Sequence, residues 1–362
     1  MRRIAFLLPD LGGGGAERLS LTLASELARA GYGAEFVLME TKGELLDEAR
    51  ASFPVHDLGC SKARLLLPVL ARFLRQAQPD GLIAAMWPLT AIAPVAARMA
   101  GLRGRVLVSE HVFLSQQYKD WGRMHGLALR ASATAGYRLA SARVGVSRGA
   151  CEDMAALSGM PIDKFSTIYN PIPPATQPSV DALSAAKALW GDGGPRVLSV
   201  GNLKSQKNHA LLLRAFAALP QSNARLMLVG HGDNQATLNA LAGELGIADR
   251  VIFAGFHSDP APFYATADLF ALSSDYEGFG NVIVEALSFG LPVVSTDCPS
   301  GPAEILQDGR YGRLVPVGDA PAFTQAMKDA LDAPVDREAQ VRRAQDFAPE
   351  IAARRYLELL AL

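Results

Sequence analysis

The chain has 362 residues, of which 49% are hydrophobic and 20% charged, which excludes a disordered protein and favours two domains over a single core. Its three cysteines show neither a disulfide framework nor metal-ligand spacing, so we expect a protein of the reducing cytoplasm. The formal net charge of −1 conceals an asymmetry, because residues 1–180 hold 20 Lys and Arg against 15 Asp and Glu, whereas the remaining residues hold 15 against 21.

Short apolar runs alternate with helical patterns along the chain, which is typical of parallel sheets wound with helices. The first run, which Pro9 and Asp10 end, is too short for a signal peptide and is predicted to be a buried strand. No window approaches the length of a membrane-spanning helix. In the first half, the predicted strands are residues 4–8, 34–39, 81–85, 105–109, 143–146 and 165–168.

The proline-rich stretch 170–178 cannot continue a helix or a central strand, and it is predicted to be an inter-domain linker. The chain ends in a predicted amphipathic helix at 349–362. Two series of strands predict an α/β fold with two Rossmann-like domains, residues 1–178 and 190–345, that face each other across a cleft. The predicted strands of the second series are residues 196–200, 225–229, 251–254, 269–272, 292–295 and 312–315.

Two glutamates, Glu277 and Glu285, lie eight residues apart around a glycine-flanked turn between a predicted strand and a predicted helix. Asn281 is predicted to cap this helix, and Gly290 and Pro292 to end it. Free N–H groups at a helix start attract phosphate, and a carboxylate on each side can hold hydroxyl groups of the same ligand. A nucleotide sugar has this arrangement of groups. The alternative is a capped helix in an ordinary α/β protein.

Residues 274–294, together with the run Asp-Cys-Pro-Ser-Gly-Pro-Ala-Glu at 297–304, resemble the Glu-x7-Glu signature of retaining glycosyltransferases of family 4, which have the two-domain glycosyltransferase B fold. The resemblance covers nearly the whole chain. It implies that the N-terminal domain binds the acceptor, that the C-terminal domain binds the nucleotide sugar, and that the last helix returns to the N-terminal domain. Glu277 is implied to be catalytic and to contact the donor hexose, and Glu285 the ribose. Further donor-binding residues implied here are Phe279, Gly280 and Asn281.

A glycine-rich run, residues 12–15, follows the first predicted strand and opens a helix. Glycines let the backbone approach a ligand, although a flexible turn has the same composition. The run resembles the Gly-Gly-Ala-Glu loop of the family, which implies that Gly14 and Gly15 lie near the donor phosphates. Glu17 is predicted to brace the helix rather than to react.

The segment 200–209 lies at the carboxyl end of a predicted strand, where open α/β sheets bind ligands. The family pattern there is Gly-Arg-Leu followed by Lys, and the two cations neutralise the diphosphate. Lys207 matches the lysine and is predicted to stabilise the leaving group, whereas Asn202 replaces the arginine and loses its charge. Lys204 is predicted to be solvated. Two weaker matches imply donor contacts in later turns, at Gly230 and, beside the nucleobase, at Phe256.

His111 follows a predicted strand of the N-terminal domain. In the family, a histidine at this kind of position lies near the reacting sugar, so His111 is predicted to be catalytic. A lone histidine also fits a structural role, and Glu110 beside it is a competing candidate.

The resemblance is strongest to bacterial enzymes that extend lipid-linked oligosaccharides and polysaccharides. It implies retaining transfer of a hexose or N-acetylhexosamine from a nucleotide-diphosphate sugar, which we expect to be UDP-linked, to a glycan or lipid-linked acceptor. Ala303 stands where these enzymes often carry arginine, so the sugar stays open. Because the chain has no Asp-x-Asp motif, neither a metal nor another cofactor is expected. The alternatives are a sugar-nucleotide epimerase and a non-catalytic nucleotide-sugar-binding partner subunit.

Residues 61–149 hold 13 basic and only 3 acidic residues, interleaved with apolar ones. Helices with apolar and basic faces bind anionic lipid headgroups, which would place the protein at the inner face of the cytoplasmic membrane. The same pattern fits ordinary amphipathic helices that pack on a sheet with their arginines in solvent. Nucleic acid is not an expected partner, because no recognised nucleic-acid-binding motif is present.

Overall fold

The computed structural model describes residues 1–12 and 14–362, so Gly13 of the glycine-rich run lies outside the described residues. The chain forms two compact units, here called the first and the second unit. The first unit is residues 1–173 with 347–362, and the second is residues 174–346.

The first unit is built on a parallel sheet. Its strands are β1 (Arg3–Leu8), β2 (Gly33–Leu38), β3 (Val55–Asp57), β4 (Gly81–Ala85), β5 (Arg105–Glu110), β6 (Ala142–Gly145) and β7 (Ser166–Thr167). They follow the order β3-β2-β1-β4-β5-β6-β7. The central strands are unbroken apolar runs because both faces are covered: Ile4 and Phe6 pack in one cluster, and Ala5 and Leu7 in another.

Seven helices of residues 1–12 and 14–173 pack around this sheet, and two of them are in close contact. They are α1 (Gly15–Arg29), α2 (Leu46–Ser52), α3 (Ala63–Ala77), α4 (Leu89–Ala100), α5 (Leu114–Gln117), α6 (Arg123–Leu139) and α7 (Arg148–Ser158). A Cβ on Gly136 of α6 would lie 2.5 Å from the carbonyl oxygen of Thr90 on α4. Glycine therefore lets α6 pack directly on the backbone of α4 and carry the next residue, Tyr137, into the core.

The second unit has a parallel sheet of six strands, wrapped by eight helices. The strands are β8 (Arg196–Val200), β9 (Arg225–Val229), β10 (Val251–Gly255), β11 (Leu269–Leu272), β12 (Val293–Thr296) and β13 (Arg313–Val315), in the order β10-β9-β8-β11-β12-β13. The helices are α8 (Val180–Trp190), α9 (His209–Ala217), α10 (Gln235–Glu244), α11 (Ala261–Thr266), α12 (Asn281–Ser288), α13 (Pro302–Leu306), α14 (Ala320–Asp332) and α15 (Arg337–Gln345).

Short polar side chains fix where many of these helices begin. In five helices, the residue before the first turn accepts a hydrogen bond from the backbone N–H three residues ahead, which satisfies one free donor of the helix start. These residues are Ser147, Ser179, Asn208, Asp319 and Asp336.

The end of the chain belongs to the first unit. Helix α16 (Pro349–Leu360) buries Ala352, Ala353, Tyr356 and Leu360 in the same cluster as β1 and β2. The hydroxyl groups of Tyr356 and Ser109 are 3.1 Å apart, which links this helix to the carboxyl end of β5.

The prediction of two Rossmann-like α/β domains is confirmed, and every predicted strand overlaps an observed one. Strand β3 was not predicted. It has three residues, Val55–Asp57, all partly or fully exposed, so the sequence contains no buried apolar run from which the strand could be predicted. Helix α8 lies between the predicted domain boundaries at 178 and 190 and belongs to the second unit.

Candidate active site

The sheet order of the second unit places a topological switch point between its central strands. Strands β8 and β11 are neighbours at the centre of the sheet. After β8 the chain continues to β9 on one side, and after β11 it continues to β12 on the other side, which defines a topological switch point between β8 and β11. Two loops meet there: the β8 loop (residues 201–208) and the β11 loop (residues 273–280). Open α/β sheets bind ligands at this kind of position.

Hydrogen bonds hold the two loops together along their length. The Gln206 side chain donates to the Tyr276 carbonyl at 2.9 Å, and Asn208 donates to the Asp275 carboxylate at 2.8 Å. The Ser273 hydroxyl donates to the Lys207 carbonyl at 2.8 Å. Because these contacts fix the backbone on both sides of Lys207, its side chain is directed from a rigid base.

Lys207 and Glu277 form an ion pair that joins the two loops. The Lys207 Nζ lies 2.6 Å from Glu277 Oε1, and the two side chains are only 18% and 8% exposed. The Ser274 hydroxyl donates to the same oxygen at 2.5 Å. Removing one partner would leave a charge nearly shielded from water, which is far more costly than losing a surface pair. Two predicted site residues are thus in direct contact.

Cys298 lies beside this ion pair and is almost fully buried. Burial raises the pKa of its thiol to about 12, and the negative charge of Glu277 adds to the effect. A neutral thiol is a weak nucleophile, so Cys298 fills space next to the pair without offering reactive sulfur.

Two glycines let backbone segments cross at the site. Gly230 has a φ of 145°, and a Cβ there would lie 2.1 Å from the carbonyl oxygen of Gly201. Gly301 has a φ of 94°, and its Cβ would lie 1.8 Å from the carbonyl oxygen of Phe279. No side chain fits at either position. Gly230 therefore packs the β9 turn against the β8 loop, whatever else it contacts.

The start of α12 differs from its prediction. The residue that precedes the helix is Gly280, in a left-handed conformation with a φ of 100°, and Asn281 is already the first helical residue. The prediction that Asn281 caps the helix was wrong, because glycine supplies the conformation that the tight turn requires. Phe279 and Gly280 are buried.

Glu285 is held one turn further along α12. The Tyr264 hydroxyl donates to Glu285 Oε2 at 2.8 Å, and the Tyr264 ring stacks on Phe289 with a centroid distance of 5.7 Å. Burial, with the charge of Glu285, raises the pKa of Tyr264 well above its usual value, so the phenol remains a donor. The carboxylate is thereby fixed and half-buried.

The remaining predicted donor residues of the second unit lie at its surface. Asn202 on the β8 loop is exposed, and so is Lys204, which was predicted to be solvated. Phe256 follows β10, is 52% exposed, and contacts the His231 ring edge-on at 5.5 Å between centroids.

In the first unit, His111 lies just past the carboxyl end of β5. Its Nε2 is 3.2 Å from the Ser109 hydroxyl, while its buried Nδ1 has no hydrogen-bond partner in the described part of the chain. Burial lowers the pKa of His111 to about 4. The ring is therefore neutral at physiological pH and a weak base.

Glu110, the competing candidate, points into the protein. It is fully buried and accepts hydrogen bonds from the Trp87 backbone N–H, the Thr90 hydroxyl and the Tyr137 hydroxyl at 3.1, 2.5 and 2.9 Å. Burial raises the pKa of Glu110 to about 7. With these three donors around it, the carboxyl group organises the end of β5 and is not open to a substrate.

At the start of α1, the glycine-rich run lies against the Glu17 carboxylate. Gly15 is the first residue of α1 and Gly14 precedes it, and a Cβ on Gly14 would lie 2.4 Å from Glu17 Oε2. The Glu17 carboxylate thus folds back over the loop, and burial raises its pKa. This position agrees with the bracing role predicted for Glu17.

Two features are absent from residues 1–12 and 14–362. No group of three His, Cys, Asp or Glu side chains is placed to hold a metal ion. No helix combines the length and the apolarity needed to cross a membrane.

Comparison with known families matches almost the entire chain in two adjacent parts. Residues 13–176 match the family described as Glycosyltransferase Family 4, and residues 182–347 match Glycosyl transferases group 1. The chain belongs to the family 4 glycosyltransferases. The family predicted from the Glu-x7-Glu signature is therefore confirmed.

Individual relatives agree with this assignment. An N-acetylgalactosamine-N,N'-diacetylbacillosaminyl-diphospho-undecaprenol 4-alpha-N-acetylgalactosaminyltransferase of Campylobacter jejuni is 29% identical over 361 residues, which cover 96% of this chain and 95% of the relative. The lipopolysaccharide core biosynthesis glycosyltransferase LpsE of Rhizobium meliloti is 36% identical over 190 residues, half of this chain and 54% of LpsE. The crystal structure of Anabaena Alr3699/HepE with UDP and glucose matches this chain with a TM-score of 0.83 at 23% identity, and the match covers 100% of both chains. The present chain therefore has the glycosyltransferase B fold.

The glycosyltransferase is expected to lose stability in its second unit as the pH falls from 6.5 towards 4. His209 at the start of α9 is buried, its Nδ1 has no partner among the described residues, and burial lowers its pKa to about 4. Below pH 6.5, the unfolded chain binds a proton that the folded protein does not bind. Between pH 7 and 5, this difference should reduce the free energy of unfolding by about 2 kcal/mol.

Urea unfolding at both pH values, followed by Trp190 fluorescence after Trp87 and Trp121 are replaced by Phe, measures this loss. In His209→Gln, the difference between the two pH values should shrink by about 2 kcal/mol. His257→Gln, which removes an exposed histidine of the same unit, should leave the difference unchanged. An unaltered pH dependence in His209→Gln would contradict the assignment of the acid sensitivity to His209.

Proposed function

We propose that this glycosyltransferase moves a hexose or N-acetylhexosamine from a UDP-linked donor to a glycan or lipid-linked acceptor, with retention of the anomeric configuration. The observation that carries the proposal is the Lys207–Glu277 pair at the carboxyl edge of the second sheet. A cation and a carboxylate fixed in contact match the two parts of a nucleotide sugar, the diphosphate and the hexose. The C. jejuni relative acts on a diphospho-undecaprenol acceptor by its name, and HepE was solved with UDP and glucose.

Each charged group has one role in this proposal. Lys207 stabilises the negative charge that develops on the departing diphosphate. Glu277 accepts hydrogen bonds from hexose hydroxyl groups, and Glu285, oriented by Tyr264, accepts them from the ribose. A preorganised site of this kind costs no reorganisation during the reaction, which is how fixed charges lower a barrier.

The proposed chemistry needs no pair of carboxylates flanking the bond, unlike glycosidases. Cleavage of the bond to the diphosphate leaves positive charge on the anomeric carbon, and the acceptor hydroxyl attacks from the face that the diphosphate leaves. A diphosphate oxygen takes the acceptor proton. His111, as a neutral ring with a pKa of about 4, is suited to hydrogen bonding to the sugar rather than to proton abstraction. Lys207 supplies the charge that a divalent metal ion provides elsewhere, so we propose metal-independent transfer.

Saturation-transfer NMR with UDP-, GDP- and ADP-sugars, in EDTA, tests the donor class. One UDP-sugar should bind, and its slow hydrolysis should release sugar in the anomeric form of the donor. Binding of none of these donors contradicts the donor assignment. Inverted sugar contradicts retention, and activity that EDTA abolishes contradicts metal independence. Appearance of an isomerised donor without transfer would instead favour the epimerase.

One feature favours a second candidate, a non-catalytic binding subunit. Asn202 is exposed where the family pattern carries arginine, so the site has one cation fewer for the diphosphate. A binding subunit would hold the UDP-sugar without consuming it, either alone or with acceptor. Turnover by the purified chain, detected as release of UDP, excludes this candidate.

We also propose that the first unit docks on the anionic cytosolic face of the membrane. The docking segment, residues 119–130, exposes Trp121, Met124 and Leu127 by 51, 83 and 68%. Met124 and Leu127 are mostly exposed to solvent, whereas the Trp121 ring also contacts the Tyr118 ring edge-on at 4.6 Å between centroids. Exposed cations accompany them at Lys119, Arg123 and Arg130. Apolar side chains enter the acyl boundary while cations pair with lipid phosphates, and tryptophan favours the interface between them.

Flotation with phosphatidylglycerol-containing vesicles is expected to recover the protein, whereas phosphatidylcholine vesicles should recover little. The double substitution Met124→Ser and Leu127→Ser should weaken vesicle binding about tenfold, because both apolar side chains lose their burial in lipid. Ile162→Ser serves as the control, since Ile162 is an exposed apolar residue of the same unit outside the segment. Equal flotation of the double variant and the unsubstituted protein contradicts the proposal.

A further inference from the structure

We infer that Ser274 is a positioning residue of the donor site, which together with Lys207 fixes the Glu277 carboxylate so that its second oxygen is presented to the donor sugar. The inference rests on the proposed function, because it assigns Ser274 a part in hexose binding. Ser274 lies within the signature stretch 274–294, but no role was predicted for it from the sequence.

Two hydrogen-bond donors converge on one oxygen of the Glu277 carboxylate. The Ser274 Oγ lies 2.5 Å and the Lys207 Nζ 2.6 Å from Glu277 Oε1. Two donors on one oxygen define both the position and the rotation of the carboxylate plane. They also leave Oε2 to accept from a ligand. A single contact from Lys207, whose side chain is flexible, would not fix this rotation.

Ser274 is itself held rigidly. It is fully buried, and its carbonyl accepts a hydrogen bond from the Thr296 hydroxyl at 2.6 Å. Ser274 lies just past β11 and Thr296 ends β12, and these two strands are neighbours in the sheet. The orientation of Glu277 is therefore set by the sheet through Ser274, and not by the loop alone.

This arrangement separates two kinds of binding. A ligand with the diphosphate but no sugar can use Lys207 without depending on the rotation of Glu277. A ligand that also carries the hexose depends both on Lys207 and on the rotation of the Glu277 carboxylate. Loss of the Ser274 hydroxyl should therefore weaken a UDP-sugar and leave UDP nearly unaffected, whereas general damage to the site should weaken both ligands alike.

Calorimetric titration with UDP, UDP-N-acetylgalactosamine and UDP-glucose measures this separation. Ser274→Ala should weaken the bound UDP-sugar about tenfold and UDP less than twofold, because a hydrogen bond to a charged carboxylate is lost. Ser274→Cys keeps a weak hydrogen-bond donor, so its affinity for the UDP-sugar should lie between those of the unsubstituted protein and Ser274→Ala. The control is Ser295→Ala, which removes a buried hydroxyl bonded to the Thr296 carbonyl at 2.9 Å and should change neither affinity. Equal weakening of UDP and UDP-sugar, or no change in either, overturns the inference.

A double-mutant cycle separates failure of the inference from failure of the proposed function. The unfolding free energies of Ser274→Ala, Glu277→Gln and the double variant are compared with that of the unsubstituted protein, with no ligand present. For two groups in contact, the double variant is expected to lose less unfolding free energy than the sum of the losses in the two single variants. Additive effects overturn the inference even where donor binding is observed. If the effects are coupled but the unsubstituted protein binds no UDP-sugar, then the donor assignment is what fails.

Discussion

Replacing Glu277 with glutamine is expected to lower kcat/KM by about a thousandfold, as loss of a preorganised electrostatic contact does elsewhere. The substitution keeps the shape of the side chain and removes its charge. Lys207 then has no counter-charge at a position where its side chain is only 18% exposed. The hexose meets an amide in place of an oriented carboxylate. Steady-state kinetics with the UDP-sugar identified by the NMR screen provide the measurement.

The control for this variant is Glu244→Gln, which removes the charge of an exposed glutamate on α10. It should retain full activity. Because a partly buried lysine left unpaired also destabilises the fold, circular dichroism and thermal unfolding must show that Glu277→Gln is folded at the assay temperature. A folded Glu277→Gln enzyme with kcat/KM reduced less than about tenfold would show that Glu277 is not the main contact to the sugar.

Gly301→Ala is expected to have the largest effect on stability, lowering the free energy of unfolding of the second unit by about 3 kcal/mol or more. The added Cβ would lie 1.8 Å from the Phe279 carbonyl oxygen, and the φ of 94° is itself unfavourable for alanine. The clash involves backbone, which cannot rotate away as a side chain can. The β11 loop must shift, and Glu277 shifts with it, so activity should fall even at temperatures where the protein is folded.

Gly318→Ala separates the clash from the backbone strain. Gly318 has a φ of 82°, but a Cβ there meets no atom within 4 Å. Its substitution should therefore cost only the left-handed conformation of alanine, about 1–2 kcal/mol. Urea unfolding, followed by Trp190 fluorescence in chains whose Trp87 and Trp121 are replaced by Phe, compares the two variants. If both lose the same stability, the close approach of Gly301 to Phe279 has no energetic role.

Sequence patterns predicted the strands of this fold because buried positions require apolar side chains, and such positions follow one another in a buried strand. Strand β12 could be predicted because Val293 and Val294 are covered on both sides of the sheet and must be apolar. The edge strand β3 could not, since His56 is only half-buried and Asp57 is exposed, so neither needs an apolar side chain. The cap of α12 was assigned to Asn281 because its side chain suits that position, but the turn before the helix needed the positive φ of Gly280.

What the sequence by itself determined was the family, the two Rossmann-like domains and the positions of Glu277, Glu285 and Lys207, since each depends on local composition and spacing. Only the tertiary structure decided that Lys207 and Glu277, 70 residues apart, form an ion pair and that Ser274 shares it. The physical reason is the order of the sheet. Neighbouring strands bring distant loops to one edge, and which strands are neighbours follows from the packing of the whole unit rather than from any local pattern.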